Sequence, residues 1–255
     1  MSTKKIVSVE IRWEYHPADI FEEPLEVAHD GGRLTFENGT AIAKITQNLT
    51  RKARDIKDGF DQAVIAALLG AQLQKQRRDE VTVDFKNYAT TAADGAKGQF
   101  IFANTVSFNI TGYAPDLKIT DKDGNVIRDT KRERIDATAA LAKQAIKHMS
   151  DPTAAAMLMS FNTSVSDPSN ALVHLYEISD ALKARFGGEH QANAALGIAA
   201  QMRTLGKMAN NEDLREGRHR GKFYAAGLRD ATDIELQLAR DSAADMIKAY
   251  LNSLG

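Results

Sequence analysis

The hydrophobic period of this chain changes near residue 130, and that change constrains the fold more than any single residue does. Val7, Val9, Ile11 and Trp13 alternate with polar residues until Pro17. Alternation of this kind is the pattern of a half-buried strand. Leu25-Val27, Leu34-Phe36 and Ala41-Ile45 repeat it, separated by Asp30-Gly31-Gly32 and Asn38-Gly39. Asp-Gly and Asn-Gly pairs supply the positive φ angles of tight hairpin turns, so these segments predict a three-stranded antiparallel meander. Phe60, Val64, Ala67, Leu68 and Leu73 switch to helical spacing and predict one helix over 59–77. Val81, Val83 and Phe85 alternate again, residues 88–98 read as a loop, and Phe100 to Ile110 reads as a long strand. Leu117-Ile119 and Val126-Ile127 flank Asp121-Lys122-Asp123-Gly124, a further hairpin signal.

From Lys131 onward the helical period takes over. Residues 131–149 and 152–160 are rich in Ala, Leu and Met. Asp167-Pro168 is a helix-start signal, and Leu172, Leu175, Ile178, Leu182 and Phe186 follow at spacings of three and four. Gly187-Gly188 predicts the stop. Residues 190–209 predict one or two shorter helices, and Thr232 with Glu235 forms a capping box ahead of a last helix. The expected fold class is therefore α+β: a mostly antiparallel sheet with one helix over residues 1–129, then an all-helical bundle over 130–255.

Charge and composition exclude several functions. The formal net charge is −1, and cutting at residue 129 gives 17 Lys+Arg against 19 Asp+Glu, then 16 against 15. Neither half is a polycation with a global attraction for nucleic acid or an acidic membrane. With no cysteine there is no disulfide, thiolate zinc site or cysteine nucleophile. Residues 1–10 lack an apolar core of signal-peptide length. The apolar run Ala63-Gln72 is about half of the roughly 20 residues that span a bilayer. These features predict a cytoplasmic protein with no membrane segment. His148, His174, His190 and His219 show no His-x3-His or carboxylate–His spacing, and no Gly-Lys-Ser/Thr phosphate loop occurs, so neither a metal nor another cofactor is expected.

The chemistry-bearing residues concentrate in Met208–Gly221, which holds Asn210, Asn211, Arg215, Arg218, His219 and Arg220 between two helical segments. Arginine keeps its charge at physiological pH and binds paired oxygens. A neutral imidazole between guanidiniums can take a proton from a ribose 2′-hydroxyl while the guanidiniums stabilise a charged phosphorane. On this reading His219 with Arg215 is catalytic, and Arg218, Arg220 and Asn210 bind substrate. The alternative is a solvated interhelical loop in which His219 caps a carbonyl and the arginines pair with Glu212, Asp213 and Glu216.

The succession Leu175-Tyr176-Glu177-Ile178, Ala181-Leu182, Phe186-Gly187-Gly188, then Ala209-Asn210, Arg215 and Arg218-His219, resembles the HEPN superfamily of prokaryotic defence and toxin proteins. The resemblance covers roughly residues 168–254. It implies a small helical bundle, often dimeric. In many members an Arg, four to six intervening residues and a His cleave RNA without metal; other members bind or assemble without cutting. Arg215 and His219 are separated by three residues, one short of that spacing. Arg185 and His190 have four between them and form a second candidate pair, with Phe186 where the family usually has a polar residue. Two functions follow as expectations. One is a cytosolic prokaryotic protein that binds RNA or another phosphate-bearing partner and cleaves RNA without metal. The other is a non-catalytic protein whose helical half forms a homodimer or docks a partner.

Overall fold

The computed structural model describes residues 5–77, 79–101, 116–219 and 227–255, with only the backbone considered at 99–101. The fold is α+β, with an antiparallel sheet in the N-terminal half and helices dominating the C-terminal half. The chain forms two compact units, one within residues 1–65 and 82–143 and the other within 66–81 and 144–255.

In the first unit, β1 (Ile6–His16), β2 (Leu25–His29), β3 (Gly32–Glu37), β4 (Thr40–Ile45), β5 (Thr82–Ala92) and β6 (Lys97–Ile101) form one sheet in the order β2-β3-β4-β1-β5-β6. Every pairing in it is antiparallel. The expected meander is present, and its turns have the expected backbone. Asp30 and Gly31 have φ of 43° and 76°, and Asn38 and Gly39 have 46° and 76°. Both central residues of each turn are thus left-handed, as a two-residue hairpin following the sheet twist requires. Val9, Ile11, Trp13 and Tyr15 of β1 turn inward with Leu34, Phe36, Ala41, Ala43 and Ile45, all buried. Trp13 donates its indole N–H to Asp61 at 2.8 Å.

Two expectations in this half need correction. Helix α1 (Ala53–Lys75) begins six residues before the predicted 59, because Ile56, one turn before Phe60, extends the buried stripe. It ends at Gln76, whose φ is 47°. The 88–98 segment is not a loop: β5 runs on to Ala92 and turns into β6 at Lys97. Its Ala- and Thr-rich composition lacks a strong alternation, yet Tyr88 through Ala92 pair with Ile11 through Ile6 of β1. Cross-strand pairing decides strand formation there, a non-local effect that local composition does not carry. Of the predicted strand from Phe100 to Ile110, the part from residue 102 onward lies outside the described residues. The hairpin β7 (Lys118–Thr120) and β8 (Val126–Asp129) is present as a separate ribbon. The Asp121 carboxylate accepts from the backbone N–H of Asp123 and Asn125 across its turn.

The helical elements are α2 (Thr130–Lys147), α3 (Pro152–Ser166), α4 (Ala171–Phe186), α5 (Glu189–Leu196), α6 (Ala199–Asn210) and α7 (Asp233–Ser253). In the second unit α4 packs on α3, α6 and α7, and α7 also packs on α3 and α6. Leu172, Leu175, Ile178, Leu182, Met202, Leu205, Met246, Ile247 and Tyr250 fill the core between them. The predicted stop after α4 is a left-handed Gly187 with φ of 79°. The predicted start is different: Asp167-Pro168 opens a 3-10 turn over Pro168–Asn170, and α4 follows from Ala171. The Asp167 carboxylate caps no helix; it accepts from Ser169, Asn170 and His174 side chains, which hold its pKa down at about 2. The Asp-Pro pair that does cap a helix is Asp151-Pro152, where Asp151 accepts from the Ala154 N–H at 2.8 Å. Among the described residues no helix is long and apolar enough to cross a membrane.

Candidate functional site

The loop after α6 is built from its backbone outward. Arg218 N–H donates to the Ala209 carbonyl at 2.7 Å and Gly217 N–H to Leu214 at 3.1 Å, folding the chain back against the end of α6. Leu214 is buried and forms a parallel bridge with Arg229. There Arg215 N–H reaches the Arg229 carbonyl and Arg229 N–H reaches that of Asp213, each at 3.0 Å. The Glu216 carboxylate accepts from Ala231 N–H at 3.0 Å. Leu214 and Gly217 are therefore the packing residues of a loop whose sequence reads as charged and polar.

The described candidate arginines are turned to different partners. The Arg218 guanidinium lies 4.4 Å from the Tyr176 ring centroid and donates to Asp180 Oδ2 at 3.0 Å, both on α4. Arg215 is 62% exposed and faces Asp230, at 3.4 Å. His219 is exposed, and among the described residues no hydrogen bond or ion pair reaches its ring. Asn210 has an enclosed Oδ1 with no hydrogen-bond partner among the described residues. Arg220 lies outside the described residues. Among the described residues, the carboxylates that meet Arg218 and Arg215 are Asp180 and Asp230, where Glu212, Asp213 and Glu216 were expected. Glu212 faces Lys207 at 3.4 Å, and Asp213 faces Arg229 at 3.5 Å. Sequence spacing missed Asp180 because it comes from a different helix, 38 residues upstream of Arg218.

The second candidate pair is also divided. Arg185 Nε donates to the Tyr250 hydroxyl at 3.1 Å, and that hydroxyl donates to Asp151, whose two oxygens lie 3.2 Å away. Phe186 meets the Tyr250 ring edge-on at 6.1 Å. Arg185 thereby ties the end of α4 to α7 and to the cap of α3. His190 stands exposed in the first turn of α5, beyond the Gly187-Gly188 turn.

His174 lies 3.1 Å from Asp167 and 3.6 Å from Glu177, which engages both ring nitrogens. Among the described residues no group of three His, Asp or Glu side chains could hold a metal ion. An open groove of about 790 Å³ lies on the first unit, lined by Glu26, Arg33, Lys44 and the Asp30-Gly31 turn. Its main cation, Arg33, is paired with Glu26 at 3.0 Å. Compared with protein-family models, curated proteins and solved structures, the chain finds no match.

Proposed function

We propose that the chain is a binding protein whose helical unit docks a partner, and that the 211–219 loop works as a contact surface without cutting RNA. One observation carries this reading. Arg218 and Arg215 are turned to different carboxylates, Asp180 and Asp230, while His219 is exposed and no other described residue bonds to its ring. Acid–base cleavage of a phosphodiester needs a proton acceptor and cationic oxyanion stabilisers converging on one reacting group. A second feature supports docking: Ile234 and Leu238, one turn apart on α7, are 80% and 50% exposed. Large apolar side chains left in solvent on one helix face are a mark of interaction surfaces. The HEPN resemblance fits as well, since members of that superfamily also bind or assemble without cutting.

The test is incubation of purified protein with labelled single-stranded RNA in EDTA, beside His219→Ala. Neither protein should cleave above the protein-free control. Cleavage by the wild type that His219→Ala abolishes would overturn the reading and restore Arg215 and His219 as a ribonuclease pair. Sedimentation over a concentration series, with Ile234→Asp as the variant, examines homodimer formation through α7.

The exposure of Arg215 and His219 favours a second reading, in which the docked partner carries phosphate. The Arg215–Asp230 contact is long and solvated, worth well under about 1 kcal/mol, so it does not bar an anion. RNA binding on this reading weakens steeply with salt.

A further inference from the structure

The Arg218 guanidinium is met from two directions by one helix. Tyr176 and Asp180 are four residues apart on α4 and so project from the same face. Tyr176 offers its ring to the guanidinium at 4.4 Å and Asp180 offers a carboxylate oxygen at 3.0 Å. The Tyr176 ring is itself held in place. Lys183 Nζ donates to its hydroxyl at 3.0 Å and lies 5.0 Å from its centroid. Gly206 of α6 lies against it, where an added Cβ would make ordinary van der Waals contact with the ring at 3.8 Å. The loop end is equally constrained by the Arg218 N–H bond to Ala209 and by the tight turn at Gly217.

We infer that Asp180 and Tyr176 form a latch that withholds the Arg218 guanidinium from anions, so that Asp180 decides whether this loop takes up a phosphate group. The ligand class follows from the chemistry of the guanidinium. A guanidinium presents a planar fork to paired phosphate oxygens, and the exposed Arg215 and His219 lie within four residues of it. With the latch closed, the Asp180 carboxylate occupies Nη1, and an incoming phosphate meets its negative charge. The pair is partly solvated, with side-chain exposures of 35% and 46%, so displacement is within reach of an anion and not blocked by burial. The inference goes beyond partner docking and does not depend on it, since neither RNA cleavage nor oligomerisation enters its readout.

The experiment titrates the full chain with inorganic pyrophosphate at low salt, reading the affinity by isothermal titration calorimetry. Wild type, Asp180→Asn, Asp230→Asn and the double variant Asp180→Asn/Arg218→Ala are compared after circular dichroism has verified folding. The amide keeps a hydrogen-bond acceptor for Arg218 and removes the charge. Asp180→Asn is expected to bind about two- to fivefold more tightly than wild type, the scale of an exposed ion pair. Adding Arg218→Ala should abolish that gain, and Asp230→Asn should give less. Equal affinity for wild type and Asp180→Asn overturns the latch. So does a gain that survives Arg218→Ala, or one matched by Asp230→Asn, because either reports only the removal of a negative charge. Asp180→Ser serves in the same comparison should the amide variant not fold.

Discussion

Gly217 has almost no room for a side chain. A Cβ there would sit 3.1 Å from both the Ala209 and the Leu214 carbonyl oxygens. Both oxygens belong to backbone that already accepts bonds from Arg218 and Gly217, so neither can yield without loosening the loop. Gly217→Ala is therefore expected to cost about 1–2 kcal/mol through overpacking, lowering Tm by roughly 2–6 °C for a chain of this size. Thermal unfolding followed by circular dichroism measures it, and an unchanged Tm would mean that the loop has slack. Arg185 makes a contrasting case. Its bond to the Tyr250 hydroxyl assigns it a structural role, so Arg185→Ala should lower Tm slightly and leave any phosphate binding unchanged. A loss of pyrophosphate affinity in a stable Arg185→Ala protein would contradict that role.

At the scale of elements, α7 begins with a capping box that the spacing of Thr232 and Glu235 already announces. Thr232 Oγ1 accepts from Glu235 N–H at 3.2 Å, and the Glu235 carboxylate accepts from Thr232 N–H at 2.8 Å. The arrangement also has a part invisible in the motif: Arg229 grips the same carboxylate with two N–H groups at 2.7 and 2.8 Å. Chiefly through Arg229, then through the Thr232 N–H, the Glu235 pKa is held at about 2. The folded-state pKa is thus below the unfolded value of about 4.3, so the stabilisation is complete above the latter and is lost as pH falls toward 2. Glu235→Gln should lower stability at pH 7 by about 1 kcal/mol and flatten the acid limb between roughly pH 4.5 and 2. Urea unfolding across that range measures both effects; an acid limb as steep as that of wild type would contradict the assignment. Elements of this kind were legible because their cause is local. Asp30-Gly31 and Asn38-Gly39 encode their turns within two residues, and Gly187 encodes its stop alone. The 88–92 stretch was not legible, since what makes it a strand is β1, about 80 residues away. Asp167-Pro168 misled for a related reason: its carboxylate is drawn to Asn170, His174 and Ser169 side chains instead of the helix backbone. The site was legible as residue types in a loop, but the partners that orient them were not. Asp180 and Tyr176 reach Arg218 only through the packing of α4 beside α6.

Across the described residues, many of the cations at 51–57, 128–134 and 207–229 are solvated and lie beside carboxylates. Within the first unit Arg51 meets Asp30, Arg54 meets Asp58, and Lys57 meets Asp61. Arg128 meets Glu133, Arg132 meets Glu23 and Asp136, and Arg134 meets Glu22 and Asp116. Within the second unit Lys207, Arg215, Arg218 and Arg229 each face a carboxylate. Each exposed pair contributes little to stability, but each carboxylate competes with a phosphate backbone for the cation it holds. A net charge of −1 adds no long-range attraction. The intact protein should therefore leave a heparin column below about 0.2 M salt, a concentration at which a protein making six or more phosphate contacts still binds measurably. Asp180→Asn should elute somewhat later, because it frees one guanidinium and removes one carboxylate. Retention of the wild type well beyond that salt concentration would show that its cations are available despite their carboxylate neighbours, and would favour a phosphate-bearing partner over an uncharged one.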